Sequence, residues 1–296
     1  MICIKNQIET NYNIKINKIY VDGTKKYFFI NDKKIYIKVI KNKDETNISE
    51  LVKLTNELYV KNKHTQTFLM NDKGKYTIDY KNEKLALLMV NEAENIELNY
   101  NDILAGTINV TNELLKVYNI YEEWTKKVDS FEKMIMEYNK EYPLIMKYAN
   151  YYIGLAENAI QLLANTNYSN EDMNYLGHII EENNYSYINY SNPFNYIKTS
   201  KLYDQANYFK YKIYDNKIDY EELEQIKNNL KLEKDKKIFL SLIIFPSEII
   251  EKMISILLNE EKENDLEKYI KKIKDIEKII KYIQENIINL ECLKWL

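Results

Sequence analysis

Lys38 sits in the strand-like stretch Tyr36-Ile37-Lys38-Val39-Ile40-Lys41, and Glu50 and Glu57 follow within a helical pattern. A strand lysine paired with a glutamate on the next helix can hold the phosphates of a nucleotide. Lys41 fits that strand position equally, and a strand lysine carries little weight in a chain whose forty-two basic residues are all lysine. The two histidines are His64 and His178. His178 stands in Leu176-Gly177-His178-Ile179-Ile180; a histidine followed two places later by aspartate would supply a general base for a hydroxyl. Here that place holds Ile180, which cannot accept a proton, and Glu181 lies one residue out of register. Asn183 or Asn184 could give an amide oxygen to Mg²⁺. Asp204, in Leu202-Tyr203-Asp204-Gln205, could hold a metal, or cap and brace the helix that follows. The candidates are therefore Lys38, Glu57, His178, Glu181 and Asp204. They make up no complete catalytic set and no metal site.

Elements must position these side chains. Asn13–Val21, Lys26–Asn31 and Lys34–Lys41 read as strands separated by turns at Asp22-Gly23 and Asn31-Asp32. The turn Val21–Lys26 has one glycine and no phosphate-cradling fingerprint, as in an ordinary hairpin. In Asp44–Asn62 the residues Ile48, Leu51, Val52, Leu54, Leu58 and Tyr59 recur at helical spacing, with Asp44 and Thr46 available as caps. Further strands are expected at Gln66–Asn71, Lys75–Tyr80 and Leu85–Val90. Beyond Val90 the spacing turns helical: Tyr100–Tyr118, Glu122–Tyr138 and Pro143–Leu163. A capping box at Ser169 and Asp172 opens a short helix. Asn183–Thr199 reads as loop with short strands, and helices follow from Pro246-Ser247 to about Asn259 and over Asp265–Leu290. The fold class is α+β: a β-rich N-lobe over 1–91 and a larger helical C-lobe over 92–296, the bilobal plan of protein-kinase-like folds.

Composition excludes several function classes. Of 296 residues, 45% are hydrophobic and 29% charged, a profile of a folded protein. A net charge of -3 leaves no basic footprint for nucleic acid and no polybasic membrane patch. With no arginine, no bidentate guanidinium clamp exists for phosphate or carboxylate. Lysine, asparagine, isoleucine and tyrosine share AT-rich codons, which accounts for the 28 tyrosines; exposed ones could also be cross-linked oxidatively in an insoluble assembly. Cys3 and Cys292 stand at opposite ends, form no metal spacing and suit a reduced compartment. The N-terminal stretch has no apolar core of the kind a signal peptide needs, and the apolar run over 238–246 is too short to span a bilayer.

Several stretches resemble the CotS-like spore-coat proteins, especially the YutH-type subgroup, a branch of the kinase-like fold that includes aminoglycoside phosphotransferases and choline kinases. The most specific is Tyr151-Tyr152-Ile153-Gly154-Leu155-Ala156-Glu157-Asn158-Ala159-Ile160-Gln161, with a glycine and a Glu-Asn pair inside an apolar helix. Thr67–Glu83 resembles the paired strands of the family's N-lobe. Trp124 with Lys126-Lys127-Val128-Asp129 and Glu132 is similar to its central helix, and Phe245-Pro246 precedes its penultimate helix. The likeness runs over roughly Lys25 to Gln284.

The resemblance implies an aminoglycoside-phosphotransferase-like fold and an Asp-His motif before a helix that opens with Arg-Asp. Thr199 and Ser200 stand where that Asp-His belongs, and only Asp204 of the later pair is kept. Neutral hydroxyls are poor Mg²⁺ ligands without a carboxylate. Three of the four kinase parts are thus missing. The expectation is a pseudokinase with no cofactor, acting as a structural or binding module in spore coat assembly. Its partners would be other coat proteins, with no nucleic acid and no membrane insertion, and its place the mother-cell cytoplasm and then the spore coat. Tyr185–Tyr196 and Tyr203–Tyr214 are candidate docking stretches. The alternative is an active, divergent kinase for a small molecule or protein, using ATP and Mg²⁺ with Glu181 or Asp204 in displaced roles. A third reading, a helical interaction protein without kinase ancestry, requires the N-lobe strands to be absent.

Overall fold

Alternating Ile, Tyr and Phe in the first ninety residues do build a sheet. The computed structural model describes residues 2–40, 45–61, 63–90, 97–111, 113, 115–138, 141–180, 185–215 and 217–289. The chain begins α1 (Ile2–Tyr12), β1 (Tyr20–Asp22), β2 (Lys25–Ile30), β3 (Lys33–Ile40), α2 (Glu45–Val60), β4 (Thr67–Phe68), β5 (Thr77–Tyr80) and β6 (Glu83–Met89). It continues α3 (Tyr100–Gly106), α4 (Ile120–Tyr138), α5 (Pro143–Ala164), β7 (Tyr175–His178), α6 (Tyr187–Tyr190) and β8 (Tyr196–Thr199). The remainder is α7 (Tyr203–Tyr214), α8 (Tyr220–Asn229), α9 (Glu233–Ile244), α10 (Ser247–Leu257) and α11 (Glu267–Tyr282), closed by a π-helical turn over Ile283–Ile288. These elements form two compact units, one of Met1–Gly106, Thr111–Lys116 and His178–Tyr196, the other of Thr107–Val110, Val117–Gly177 and Ile197–Leu296.

The first unit carries an antiparallel sheet in the order β1-β2-β3-β6-β4, with β5 also on β6. β6 is its centre: Leu85, Ala86, Leu87 and Leu88 are all fully buried, as a strand covered on both faces requires. The hairpins β2–β3 and β5–β6 turn on two residues each, Asn31-Asp32 and Lys81-Asn82, all four at positive φ between 48° and 63°. That is the geometry whose twist matches the flanking strands. One expectation fails here. Residues 13–21 are not a strand; only Tyr20–Asp22 pairs, and the chain before it is helix α1. Ile4, Ile8 and Tyr12 recur every four residues and pack with Phe28, Ile35, Leu85 and Leu87 into one core. Asn13, at φ 48°, follows the helix in the left-handed conformation typical of a C-terminal stop.

The second unit is helical; a second expectation fails in the first unit, which holds α3. The helix foreseen over Tyr100–Tyr118 ends at Gly106. A β-carbon at Gly106 would lie 2.0 Å from the Tyr190 hydroxyl, so the backbone passes too close for any side chain. Beyond it the chain is extended, bridging Asn109 to Tyr175 and Val117 to Lys198. The Ser169–Asp172 capping box is present: the Ser169 N–H donates to the Asp172 carboxylate at 2.8 Å, and Lys234 holds the same carboxylate at 2.7 Å.

Packing centres on the turn between α9 and α10. Trp124 of α4 stacks on Phe245 with ring centres 4.0 Å apart and planes 2° from parallel. Lys210 of α7, 3% exposed, donates to the Phe245 carbonyl at 2.9 Å and to the Ser247 hydroxyl at 2.6 Å, with Glu248 at 3.7 Å. Burial pushes the Lys210 ammonium below the usual lysine range, and Glu248 pulls it back. Between the depressed folded value and 10.5 the unfolded chain keeps a proton that the folded chain releases, so this group's contribution to stability rises with pH. Glu248→Gln removes the answering charge. It is expected to cost about 2 kcal/mol at neutral pH, a loss that shrinks as pH climbs toward 10; urea unfolding at both pH values checks it.

Candidate functional site

In the first unit Lys38 is half-buried on β3, in register with Ala86 of β6. On the helix after it Glu57 is exposed, and Glu50 is held by Lys53 at 2.5 Å. Lys41, Glu181, Asn183 and Asn184 lie outside the described residues, as do Asp44 and Cys292.

His178 is 2% exposed. Its ring stacks on Tyr190 at 3.9 Å and meets Tyr196 edge-on at 5.0 Å. Around it, buried polar groups bond to one another. The Tyr196 hydroxyl donates to Thr65 Oγ1 at 2.8 Å, and Gln66 Nε2 donates to the Ile188 carbonyl at 2.8 Å and the Ser191 hydroxyl at 3.3 Å. Lys25, from the turn in the place of a phosphate-cradling loop, donates to Asn189 Oδ1 at 3.0 Å. His64 meets Asp102 at 3.2 Å and Tyr187 edge-on. Thr65, Gln66, Lys25 and Asn189 were not singled out from the sequence, and no local pattern marks them; each is joined to a partner more than a hundred residues away. This packing also removes a docking stretch. Tyr185, Tyr187, Tyr190 and Tyr196 are each at most 5% exposed and serve the core, and in the other stretch Tyr208 is fully buried.

In the second unit β7 pairs with β8, and the approach is close enough to forbid a side chain: a β-carbon on Gly177 would lie 2.3 Å from Thr199 Cγ2. Thr199 is fully buried and its hydroxyl donates to the Tyr118 carbonyl at 3.2 Å. The Ser200 hydroxyl, also buried, accepts the Leu202 N–H at 3.3 Å. Both hydroxyls are thus committed inside the protein. Asp204 is 3% exposed in the first turn of α7, where a carboxylate suits the helix dipole. Among the described residues no group of three histidine, cysteine or acidic side chains could hold a metal ion. Nor is any described helix long and apolar enough to cross a membrane.

Among solved structures, an aminoglycoside phosphotransferase from Alicyclobacillus acidocaldarius matches with a TM-score of 0.69 over 95% of each chain, at 8% identity. A spectinomycin phosphotransferase bound to AMP gives 0.62 over 97% of this chain and 96% of that one, at 14% identity. An amicoumacin kinase gives 0.53 over 97% and 94%, at 10% identity. The antiparallel sheet and the helical unit therefore make a kinase-like phosphotransferase fold; identities this low carry nothing finer. No curated protein matches by sequence. The chain belongs to the family described as "Spore coat putative kinase YutH", whose model matches residues 5–283.

The contact at Gly177 is testable. Gly177→Ala is expected to cost about 1–3 kcal/mol through overpacking. Adding Thr199→Ser, which deletes the clashing methyl and keeps the hydroxyl, recovers most of it. Paired urea-unfolding midpoints give the comparison.

Proposed function

We propose that this member of the spore coat family is a pseudokinase that serves as a structural or binding module in coat assembly. The observation that carries the reading is the commitment of Thr199 and Ser200. At the positions where the family resemblance calls for a metal-holding motif, the chain has two neutral hydroxyls, both buried and both bonded within the protein. Two further features support it. Ile180 occupies the place of a catalytic base, and His178 beside it is packed under Tyr190 rather than presented to solvent. The turn that would cradle phosphates is tied down through Lys25 to Asn189. The protein would be made in the mother-cell cytoplasm and then join other coat proteins, using no nucleotide and no metal.

Thermal unfolding with millimolar ATP, with and without Mg²⁺, tests this. A ligand at a hundred times its Kd stabilises by about 2.7 kcal/mol, a shift of about 4 °C for a chain of this size. The expected outcome is no shift under either condition. A Mg²⁺-dependent shift, with ATP turnover lost in Asp204→Ala, would instead identify an active, divergent kinase.

A further inference from the structure

Helix α5 carries a glycine, Gly154, well inside its 22 residues. Glycine there costs a helix about 1 kcal/mol relative to alanine. At Gly106 and Gly177 close contacts account for the missing side chain, at 2.0 and 2.3 Å. Gly154 is different: a β-carbon built on it would meet nothing within 4 Å. Packing does not call for glycine here. What lies beside it is a cavity of about 860 Å³, lined within the second unit by α5, α7, α9, α10 and α11. That volume falls in the range of about 300–1,000 Å³ usual for small-molecule sites.

The walls are aliphatic. Leu155, Ile213, Ile244, Ile249, Ile276 and Ile280 line them, a surface suited to a flexible hydrocarbon. Charge is confined to a few residues. Lys210 is answered internally by Glu248, and the Glu277 carboxylate accepts the Tyr151 hydroxyl. Lys278 and Lys281, from α11, also line the cavity. Their partners are the exposed carboxylates of Asp275 at 3.2 Å and Glu285 at 3.9 Å, pairs weak enough for another anion to displace. Tyr152 contributes to the wall as well, and its buried hydroxyl has no hydrogen-bond partner among the described residues.

We propose that this cavity binds a long-chain fatty acid. The acyl chain lies in the space kept open over Gly154, and the carboxylate meets Lys278 and Lys281. The site is independent of the nucleotide question, since none of the described candidate kinase residues (Lys38, Glu57, His178 and Asp204) lines it.

Titration of the full chain with cis-parinaric acid, whose fluorescence rises in apolar surroundings, is expected to saturate and to be reversed by palmitate. Gly154→Leu fills the open volume. It should keep or raise the melting temperature, since the helix gains a better former, while weakening binding by at least about tenfold. Lys278→Glu with Lys281→Glu should weaken palmitate by about tenfold and leave hexadecanol, which has no carboxylate, unchanged. Absence of saturable binding overturns the proposal, as does a folded Gly154→Leu variant that binds like the parent. Equal binding of palmitate and hexadecanol, both indifferent to the lysine changes, overturns the fatty-acid assignment.

Discussion

The helical unit depends on one buried ammonium. Lys210 reaches from α7 to the carbonyl of Phe245 and the hydroxyl of Ser247, and so sets the turn by which α9 gives way to α10. With that turn in place, the Phe245 ring meets Trp124 of α4 face to face, and Ile249 is brought to the wall of the apolar cavity. A chain without arginine has only a compact point charge for such work. The acceptors must therefore come to the lysine, and they do: a carbonyl, a hydroxyl and a carboxylate from three of the four positions that follow α9, namely Phe245, Ser247 and Glu248.

Much of this architecture is legible in residue order because the elements that matter carry strong local patterns. β2 and β3 are rich in Ile, Tyr, Val and Phe, and α4 presents Trp124, Val128, Phe131 and Ile135 on one buried face. The capping box at Ser169 is a four-residue signal and appears where it was expected. What failed did so through longer-range causes. α1 has its apolar residues at a clear four-residue spacing, yet lysine, asparagine and glutamate between them dilute the signal; the sheet it packs on decides the matter. Where the expected helix after Tyr100 ends, the Gly106 backbone lies against Tyr190, eighty-four residues further along the chain. The candidate site divides in the same way. Ile180, Thr199 and Ser200 can be noticed as departures once the family resemblance supplies a template. That both hydroxyls are bonded inward, or that Lys25 reaches Asn189, is a matter of tertiary approach that no spacing encodes.

The kinase-like fold does not by itself dictate the chemistry it carries. A sheet ordered around a buried β6 and a helical unit built on α5 and α9 need only apolar faces and close packing. None of that requires a carboxylate at β8 or a free base after β7. Around the β7–β8 pair this chain places buried hydroxyls and aromatic rings, which bury at lower cost than unpaired charges. The scaffold persists because its stability lies elsewhere, and function must be read from individual sites rather than from the fold.

The margins of the sheet carry a further consequence. On one side the outer strand β1 has only three residues; the other side is divided between β4, with two, and β5, with four. A protein that recruits its neighbours by strand addition needs a long open edge with a row of unpaired backbone groups. Strands this short offer no such row, and Lys18 stands just before β1 while Lys25 and Lys26 of β2 pair across from it. Among the described residues the sheet therefore offers no long edge along which a second sheet could extend it into a continuous fibre.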